Sequence, residues 1–202
     1  TWRHMGLVGS RHVGRILIHP DNPNIVYVAA LGSLWGPNDE RGLYRTTDGG
    51  ETWERLLRPS AYTGVVEVQM HPDNPDVLYA ATFQRERRMW SMVGGGDESG
   101  LYRSNDGGDS WSRVENGFPT SAIGRVGVTF CPGSSNTMYA TAVGPDGGTF
   151  RSTDGGESWV LLPLPGPETV VWSILALGAA TLFAGAQNTT IYRSDDDGDR
   201  FQ

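Results

Sequence analysis

The chain has no lysine and only one cysteine, Cys131, among its 202 residues. A lone cysteine excludes an intramolecular disulfide and a cysteine-built zinc site. At a strand end before Pro132 it is expected to be a buried structural thiol. All positive side-chain charge other than histidine is carried by 16 arginines, against 23 acidic residues, for a net charge of −7. Nonspecific nucleic-acid binding needs a basic surface, so no nucleic-acid partner is expected. No apolar run is long enough to span a bilayer, and no segment reads as a signal peptide. Sustained helical periodicity is also missing. His4, His12, His19 and His71 form no metal-ligand pattern, and neither a metal nor another cofactor is expected. Glycine and proline, by contrast, are plentiful at 28 and 12 residues. They fit a turn-rich all-β protein long enough for one domain with a proper core.

One octapeptide pattern recurs four times. It reads Thr46-Thr47-Asp48-Gly49-Gly50-Glu51-Thr52-Trp53, then Ser104-Asn105-Asp106-Gly107-Gly108-Asp109-Ser110-Trp111. It returns at Ser152–Trp159 around Asp154 and, more loosely, at Ser194–Phe201 around Asp196. The four aspartates are 58, 48 and 42 residues apart. A recurrent unit of this size signals a propeller, solenoid or array. Each copy follows an apolar–aromatic pair and an arginine, and precedes a second apolar stretch, which reads as strand, tight turn, strand. The aspartate is expected to accept N–H groups two residues on, the glycine pair to supply positive φ, and the closing aromatic to cover the turn.

A second element repeats upstream. His19-Pro20-Asp21-Asn22-Pro23 matches His71-Pro72-Asp73-Asn74-Pro75, with a degraded copy at Cys131–Asn136 and a shortened one at Leu177–Phe183. Proline and asparagine mark a turn between two further strands. Each unit therefore holds four strands, in unit one at about 14–19, 25–30, 42–46 and 52–57, which fits a β-propeller blade. The expected blades span roughly 14–57, 65–115, 123–163 and 170–202 in a single domain. Residues 1–7 resemble the tail of a lost repeat and are expected to supply the outer strand of a preceding or a closing blade. Two readings stand: an excerpt from a larger propeller, or a small ring closed by residues 1–7, which would remove exposed edges.

These octapeptides are identified as Asp boxes, also called bacterial neuraminidase repeats. Over nearly all its length the chain resembles the Asp-box propellers of sialidases, xyloglucanases, sortilin-like receptors and photosystem II assembly factors. The segments Gly14–Ile16, Trp35–Asn38 and Glu98–Tyr102 are most similar to bacterial sortilin-like propeller proteins. The resemblance implies a secreted, periplasmic or envelope-associated protein. It also implies that Asp boxes lie on the face away from an active centre. Asp48, Asp106, Asp154 and Asp196, with Trp53, Trp111, Trp159 and Phe201, are therefore expected to be structural.

Function is sought on the opposite face, where the second-to-third-strand loops and the blade connectors meet. Long loops on a rigid scaffold are the usual carriers of function. Blade one has Leu31–Arg41 there, and blade two has the longest loop, Phe83–Ser99. Trp35 and Trp90 are the aromatics least explained by the repeat, suited to stack on a sugar or anchor a peptide. Arg85, Arg87 and Arg88 suit a carboxylate or phosphate, against the plainer alternative of salt bridges to Glu86, Asp97 and Glu98. Arg15, Glu67 and Arg125 are expected to line the channel near this face. A sialidase would need a third arginine and a Tyr-Glu pair, and neither is evident. The run Asp195–Asp199 lacks the spacing of a calcium loop.

The leading expectation is a non-catalytic binding or scaffold propeller that recognises a protein segment or polysaccharide, with further blades of a longer chain as its neighbours. The alternative is a glycoside hydrolase fragment, xyloglucanase- or sialidase-like, with Asp39, Glu40, Asp97 and Glu98 on the relevant face. Glycoside hydrolysis needs two carboxyls about 5 to 9.5 Å apart, a spacing the sequence does not fix. A third reading is pure architecture.

Overall fold

A computed structural model describes residues 1–202 except 122, 165–170, 178–179 and 187–189. Four antiparallel sheets follow one another along the chain. The first joins β1 (Val13–Ile18), β2 (Val26–Ala30), β3 (Gly42–Thr46) and β4 (Glu54–Leu57) in sequential order. The second contains β5 (Thr63–His71), β6 (Asn74–Arg87), β7 (Met92–Gly94), β8 (Gly100–Ser104) and β9 (Ser112–Arg113), in the order β5-β6-β8-β9 with β7 paired to the far end of β6. The third is β10 (Val126–Cys131), β11 (Ser134–Ala142), β12 (Gly148–Ser152) and β13 (Val160–Leu161). The fourth is β14 (Val171–Leu177), β15 (Thr181–Ala186) and β16 (Ile191–Ser194). These are the blades of an all-β propeller, each a short meander.

The blade-four turn expected around Gly178 and Ala179 falls outside the described residues, as does the start of that blade at 170. Residues 1–7 do not pair as a strand. Their backbone runs against blade one's own Asp box, where the Met5 carbonyl accepts the Trp53 indole N–H at 2.6 Å. An indole donor at the rim of a box needs an acceptor, and this segment supplies it.

The core lies between blades rather than within them. Tyr27, Ala29 and Leu43 of blade one meet Val65, Val68, Leu78 and Ala80 of blade two. Tyr79, Ala81 and Leu101 meet Val126, Val128, Met138 and Phe150 across the next interface. Cys131, Tyr139 and Leu162 meet Ala176 and Leu182 across the last. Alternation along each middle strand sends successive side chains to the two neighbouring blades, so small residues such as Ala29, Ala30, Ala80 and Ala81 let the sheets stack closely.

The Asp boxes share one hydrogen-bond plan. In the first, the Thr46 hydroxyl donates to Asp48 Oδ1 at 2.7 Å and accepts the Gly50 N–H at 2.9 Å. Asp48 Oδ1 accepts the Thr52 N–H at 2.9 Å, and Oδ2 accepts the Thr52 hydroxyl at 2.6 Å. Ser104/Asp106/Ser110 and Ser152/Asp154/Ser158 repeat it, and Asp196 keeps the backbone half with Arg200. The carboxylate thus reaches four residues on, not two. The acid closes a wider loop because the hydroxyl two residues before it already serves the inner N–H groups. The turn is tied to its own blade by Gly49 N–H to the Asn24 carbonyl, a bond repeated at Gly107–Asp76, Gly155–Asn136 and Asp197–Ala180. The Asp boxes and the Pro-Asp-Asn-Pro turns therefore share one face.

Each box also docks on the preceding blade. The second glycine has positive φ at Gly108, Gly156 and Gly198, and a Cβ there would collide with Leu56, Tyr79 and Leu162 of the blade before. Backbone conformation and close approach together demand glycine. Tyr27 Oη donates to the Gly107 carbonyl at 2.8 Å, beside Arg45 Nη1 at 3.0 Å. Tyr79 Oη donates to the Gly155 carbonyl, and Tyr139 Oη to the Asp197 carboxylate, with Arg151 reaching the Asp197 carbonyl at 2.6 Å. Burial pushes the Tyr79 phenol up to about 12, so it stays a donor at any ordinary pH. His19 and His71 accept the N–H two residues on, from Asp21 and Asp73, which fixes both as turn residues.

Two outcomes follow. Tyr79→Phe should lower stability by about 1–3 kcal/mol, because it strips the buried Gly155 carbonyl of its phenol donor. Tyr27→Phe should cost less, since Arg45 still serves Gly107; thermal unfolding of the two variants checks the order. The Asp boxes also set an acid limit. Hydrogen bonds from Ser110 and Ser104 hold the Asp106 carboxyl down at about 2, from an ordinary value of 3.8. At Asp154 burial opposes the shift, but the Ser158 and Ser152 bonds outweigh it and also leave it at about 2. A depressed carboxyl stabilises the fold above its unfolded value and loses that contribution as pH falls through its folded value. The melting temperature should therefore hold down to about pH 4 and drop between about pH 4 and 2, with a shallower drop in Asp106→Asn.

Candidate functional site: the loop face

The longest expected loop is not a loop throughout. β6 continues past the blade to Arg87 and pairs with β7, with Arg85 opposite Gly94, Glu86 opposite Val93 and Arg87 opposite Met92. Arg88 N–H closes the turn on the Ser91 carbonyl at 2.8 Å. The first arm is charged and the second is not, and the ladder satisfies the backbone of both, so a hairpin stands above blade two with Trp90 near its tip.

Blade one meets this hairpin. Arg87 N–H donates to the Leu34 carbonyl at 2.8 Å. Arg41, fully buried, organises the junction by donating to the carbonyls of Leu31 at 2.8 Å, Ser33 at 2.5 Å and Arg85 at 3.0 Å. Burial, and then the nearby Arg85, lowers its pKa from the ordinary arginine value, but a guanidinium remains charged in a protein. Sequence reasoning missed Arg41. A signal was present: Glu40-Arg41-Gly42-Leu43 aligns with Glu98-Ser99-Gly100-Leu101, so an arginine stands where the next blade has serine.

The junction brings Trp35, Arg87, Arg88 and Trp90 together around an open concavity of about 540 Å³, completed by Met89 and Met92. Trp35 is 59% and Trp90 81% exposed. The Arg87 guanidinium lies over the Trp35 ring at 5.8 Å from its centre, which holds the indole upright. Arg88 is paired with Glu86 at 2.8 Å, the plainer of its two expected roles. Arg85 is not in this group: its backbone serves Arg41 and the Tyr62 carbonyl.

Arg15 and Arg125 sit elsewhere, on the channel-lining strands and their approach. Arg15 Nε lies 3.2 Å from Glu67 Oε1, and Arg125 borders the same concavity as Glu67. Burial raises the Glu67 carboxyl above its ordinary value, with Arg15 opposing. Among the other loop-face carboxylates, Asp39 is engaged by Arg58 at 2.8 Å, and Glu98 accepts the hydroxyls of Ser60 and Thr63. Among the described residues no cluster of three or more histidine, cysteine or acidic side chains is placed to hold a metal ion. Asp195, Asp196 and Asp197 point to separate partners: Arg193, Ser194 and Arg151.

Residues 44–55 match the family model of the BNR/Asp-box repeat. A xyloglucanase of Acetivibrio thermocellus is 34% identical over 116 residues, 53% of this chain and 12% of that protein. A xyloglucanase of a Paenibacillus species is 29% identical over 153 residues, 69% of this chain and 14% of that protein. The crystal structure of an ancestral GH74 enzyme superposes with a TM-score of 0.74 at 20% identity, covering 98% of this chain and 26% of that one, a likeness of fold. The chain thus spans about an eighth of the length of the curated relatives it matches. These relatives overturn the expectation of a non-catalytic binding or scaffold module: they are named as glycan-cleaving enzymes, and the hydrolase alternative fits them better. The residue pattern misled because the Asp box itself carries no chemistry and looks alike in binding and cleaving propellers.

Arg41→Ala should free both loops at once, since one guanidinium serves carbonyls of each. With no lysine in the chain, trypsin cuts only at arginine. Digestion should become faster at Arg85, Arg87 and Arg88 in the variant, while cleavage at Arg103 in β8 stays slow. Unchanged digestion of the hairpin would show that Arg41 does not hold it.

Proposed function

We propose that these blades belong to a polysaccharide-cleaving propeller of the xyloglucanase kind, and that the face bearing Trp35 and Trp90 grips the glycan chain during cleavage. The observation that carries this reading is the exposed pair of indoles, Trp35 with Arg87 over its ring and Trp90 near the hairpin tip, on the face opposite the Asp boxes. A flat apolar ring flanked by guanidinium donors suits a sugar, whose axial C–H faces stack and whose hydroxyls take hydrogen bonds. The relatives' names point to the same substrate class. Cleavage takes a pair of carboxyls about 5 to 9.5 Å apart across the scissile bond, and it is assigned here to the whole protein.

A polymer of this size does not cross a membrane, so the proposal places the protein outside the cytoplasm, in a secreted or envelope-associated setting. The likeness of residues 14–16, 35–38 and 98–102 to sortilin-like propellers agrees with that setting and is not needed for the reading.

The test is release of reducing ends from xyloglucan and from an unbranched β-1,4-glucan by the protein carrying these blades. Trp35→Ala and Trp90→Ala should each raise KM about fivefold or more, the effect of losing at least about 1 kcal/mol at a stacking position. The failure of the unsubstituted protein to cleave either glucan would sink the proposal.

A further inference from the structure

The four channel-lining strands are not equivalent. In β1, β5 and β14 the register slips by one residue near the start, between Val13 and Arg15, Val65 and Glu67, and Val171 and Ser173. A bulge of this kind re-aims the following side chain and is common beside ligand sites. β10 has no slip there and runs evenly from Val126 to Phe130. Pairing to the second strand of each blade aligns Arg15, Glu67, Gly127 and Ser173 at one level, opposite Ala29, Ala81, Thr141 and Gly185. The level therefore presents a guanidinium, a carboxylate, a gap and a hydroxyl.

The gap is Gly127. Its φ is not positive, and among the described residues a Cβ there would meet the Thr141 hydroxyl alone, at 3.3 Å. Neither backbone conformation nor backbone crowding calls for glycine, so its effect is the space it leaves. That space is a concavity of about 260 Å³, bounded by Glu67, Arg125, Thr129, Thr141 and Ser173. It is smaller than the 300–1,000 Å³ or so of a drug-sized site, and polar groups converge on it from three blades. Glu67 is held in place by Arg15 and by the Gln69 amide, both 3.2 Å from its Oε1. Its side chain is 20% exposed.

We propose that the notch at Gly127 is a binding site for a single neutral pyranose, distinct from the Trp35–Trp90 face. The carboxylate accepts hydrogen bonds from neighbouring sugar hydroxyls, Arg125 donates to another, and the threonine and serine hydroxyls serve either role. An anionic ligand would meet the Glu67 charge at close range, whereas the guanidiniums of Arg15 and Arg125 already face that carboxylate and offset its charge rather than the ligand's. The proposal does not rest on the hydrolase reading, since it concerns one sugar ring and not chain cleavage.

The experiment is saturation-transfer NMR with glucose, galactose, xylose and glucuronate, on the unsubstituted chain and three variants. At least one neutral sugar should bind at millimolar concentration, and glucuronate more weakly than that sugar. Glu67→Gln should weaken binding about tenfold, the worth of a hydrogen bond to a charged group. Gly127→Leu should abolish it by filling the notch. Asp195→Asn, on the Asp-box turn of blade four, should leave it unchanged, and loss of transfer in Gly127→Leu, which keeps both indoles, separates this site from the loop face. If Gly127→Leu does not fold, Glu67→Gln still decides. Tighter binding of glucuronate, no transfer to any neutral sugar at tens of millimolar, or full binding by Glu67→Gln would each overturn the proposal.

Discussion

Everything in this fold hangs on a bond between neighbouring blades: a phenol or guanidinium of one blade donates into the Asp box of the next. Tyr27, Tyr79 and Tyr139 occupy matching places on their second strands, and Gly107, Gly155 and Asp197 matching places in the boxes they reach. In the first three boxes both oxygens of the carboxylate are engaged by hydroxyls and an N–H of the turn itself, and Asp196 keeps the Oδ1 share of that plan. A rigid box with a glycine at its base can sit against the preceding sheet without a gap. The apolar layers between blades then supply most of the driving force, and the phenol bonds fix how the layers are aligned.

That arrangement leaves the opposite face free of structural duty. The loops there have anchors of their own, among them the buried guanidinium of Arg41, Arg113, which donates to the Asp97, Ser99 and Thr120 carbonyls, and the carboxylate of Glu98, which accepts from Ser60 and Thr63 in the connector. Side chains that would be liabilities in the core, such as Trp35 and Trp90, are held out in solvent. Exposed indoles have a standing cost in solubility, which the proposed glycan would lift by covering them.

What could be read in the sequence follows from repetition. The octapeptides and the Pro-Asp-Asn-Pro turns recur, so their register fixes the strands between them, and β1 to β4 fall within a residue or two of where the pattern puts them. Features that occur once were harder. The hairpin at Arg85–Gly94 has no alternation of apolar and polar residues: its more covered face pairs Glu86 with Val93 and its exposed face Arg87 with Met92, so each face mixes the two kinds. Arg41 looks like any surface arginine until its carbonyl partners are in place. Trp35 and Trp90 are legible as outliers; adjacency groups Arg85 with Arg87 and Arg88, yet Arg85 lies two residues further from the hairpin turn, with its backbone held by Arg41 and Tyr62. The level formed by Arg15, Glu67, Gly127 and Ser173 depends on three bulges, which leave no composition mark. The choice between a binder and a hydrolase lay in the relatives, not in the repeat.

The staple between blades also bears on how such a protein can be rearranged. A blade cut at its own first and last strands carries a phenol that has lost its acceptor and a box that has lost its donor. A run of two blades, from β5 to Trp159, keeps Tyr79 together with the box at Ser152–Trp159 and so one staple intact. Exchange is thus most conservative in runs of several blades, because each added blade retains one more staple and only those at the two ends are lost. A splice between a blade's own second strand and its own Asp box severs two staples where a splice between blades severs one, and chimeras of the first kind should be the ones that misassemble.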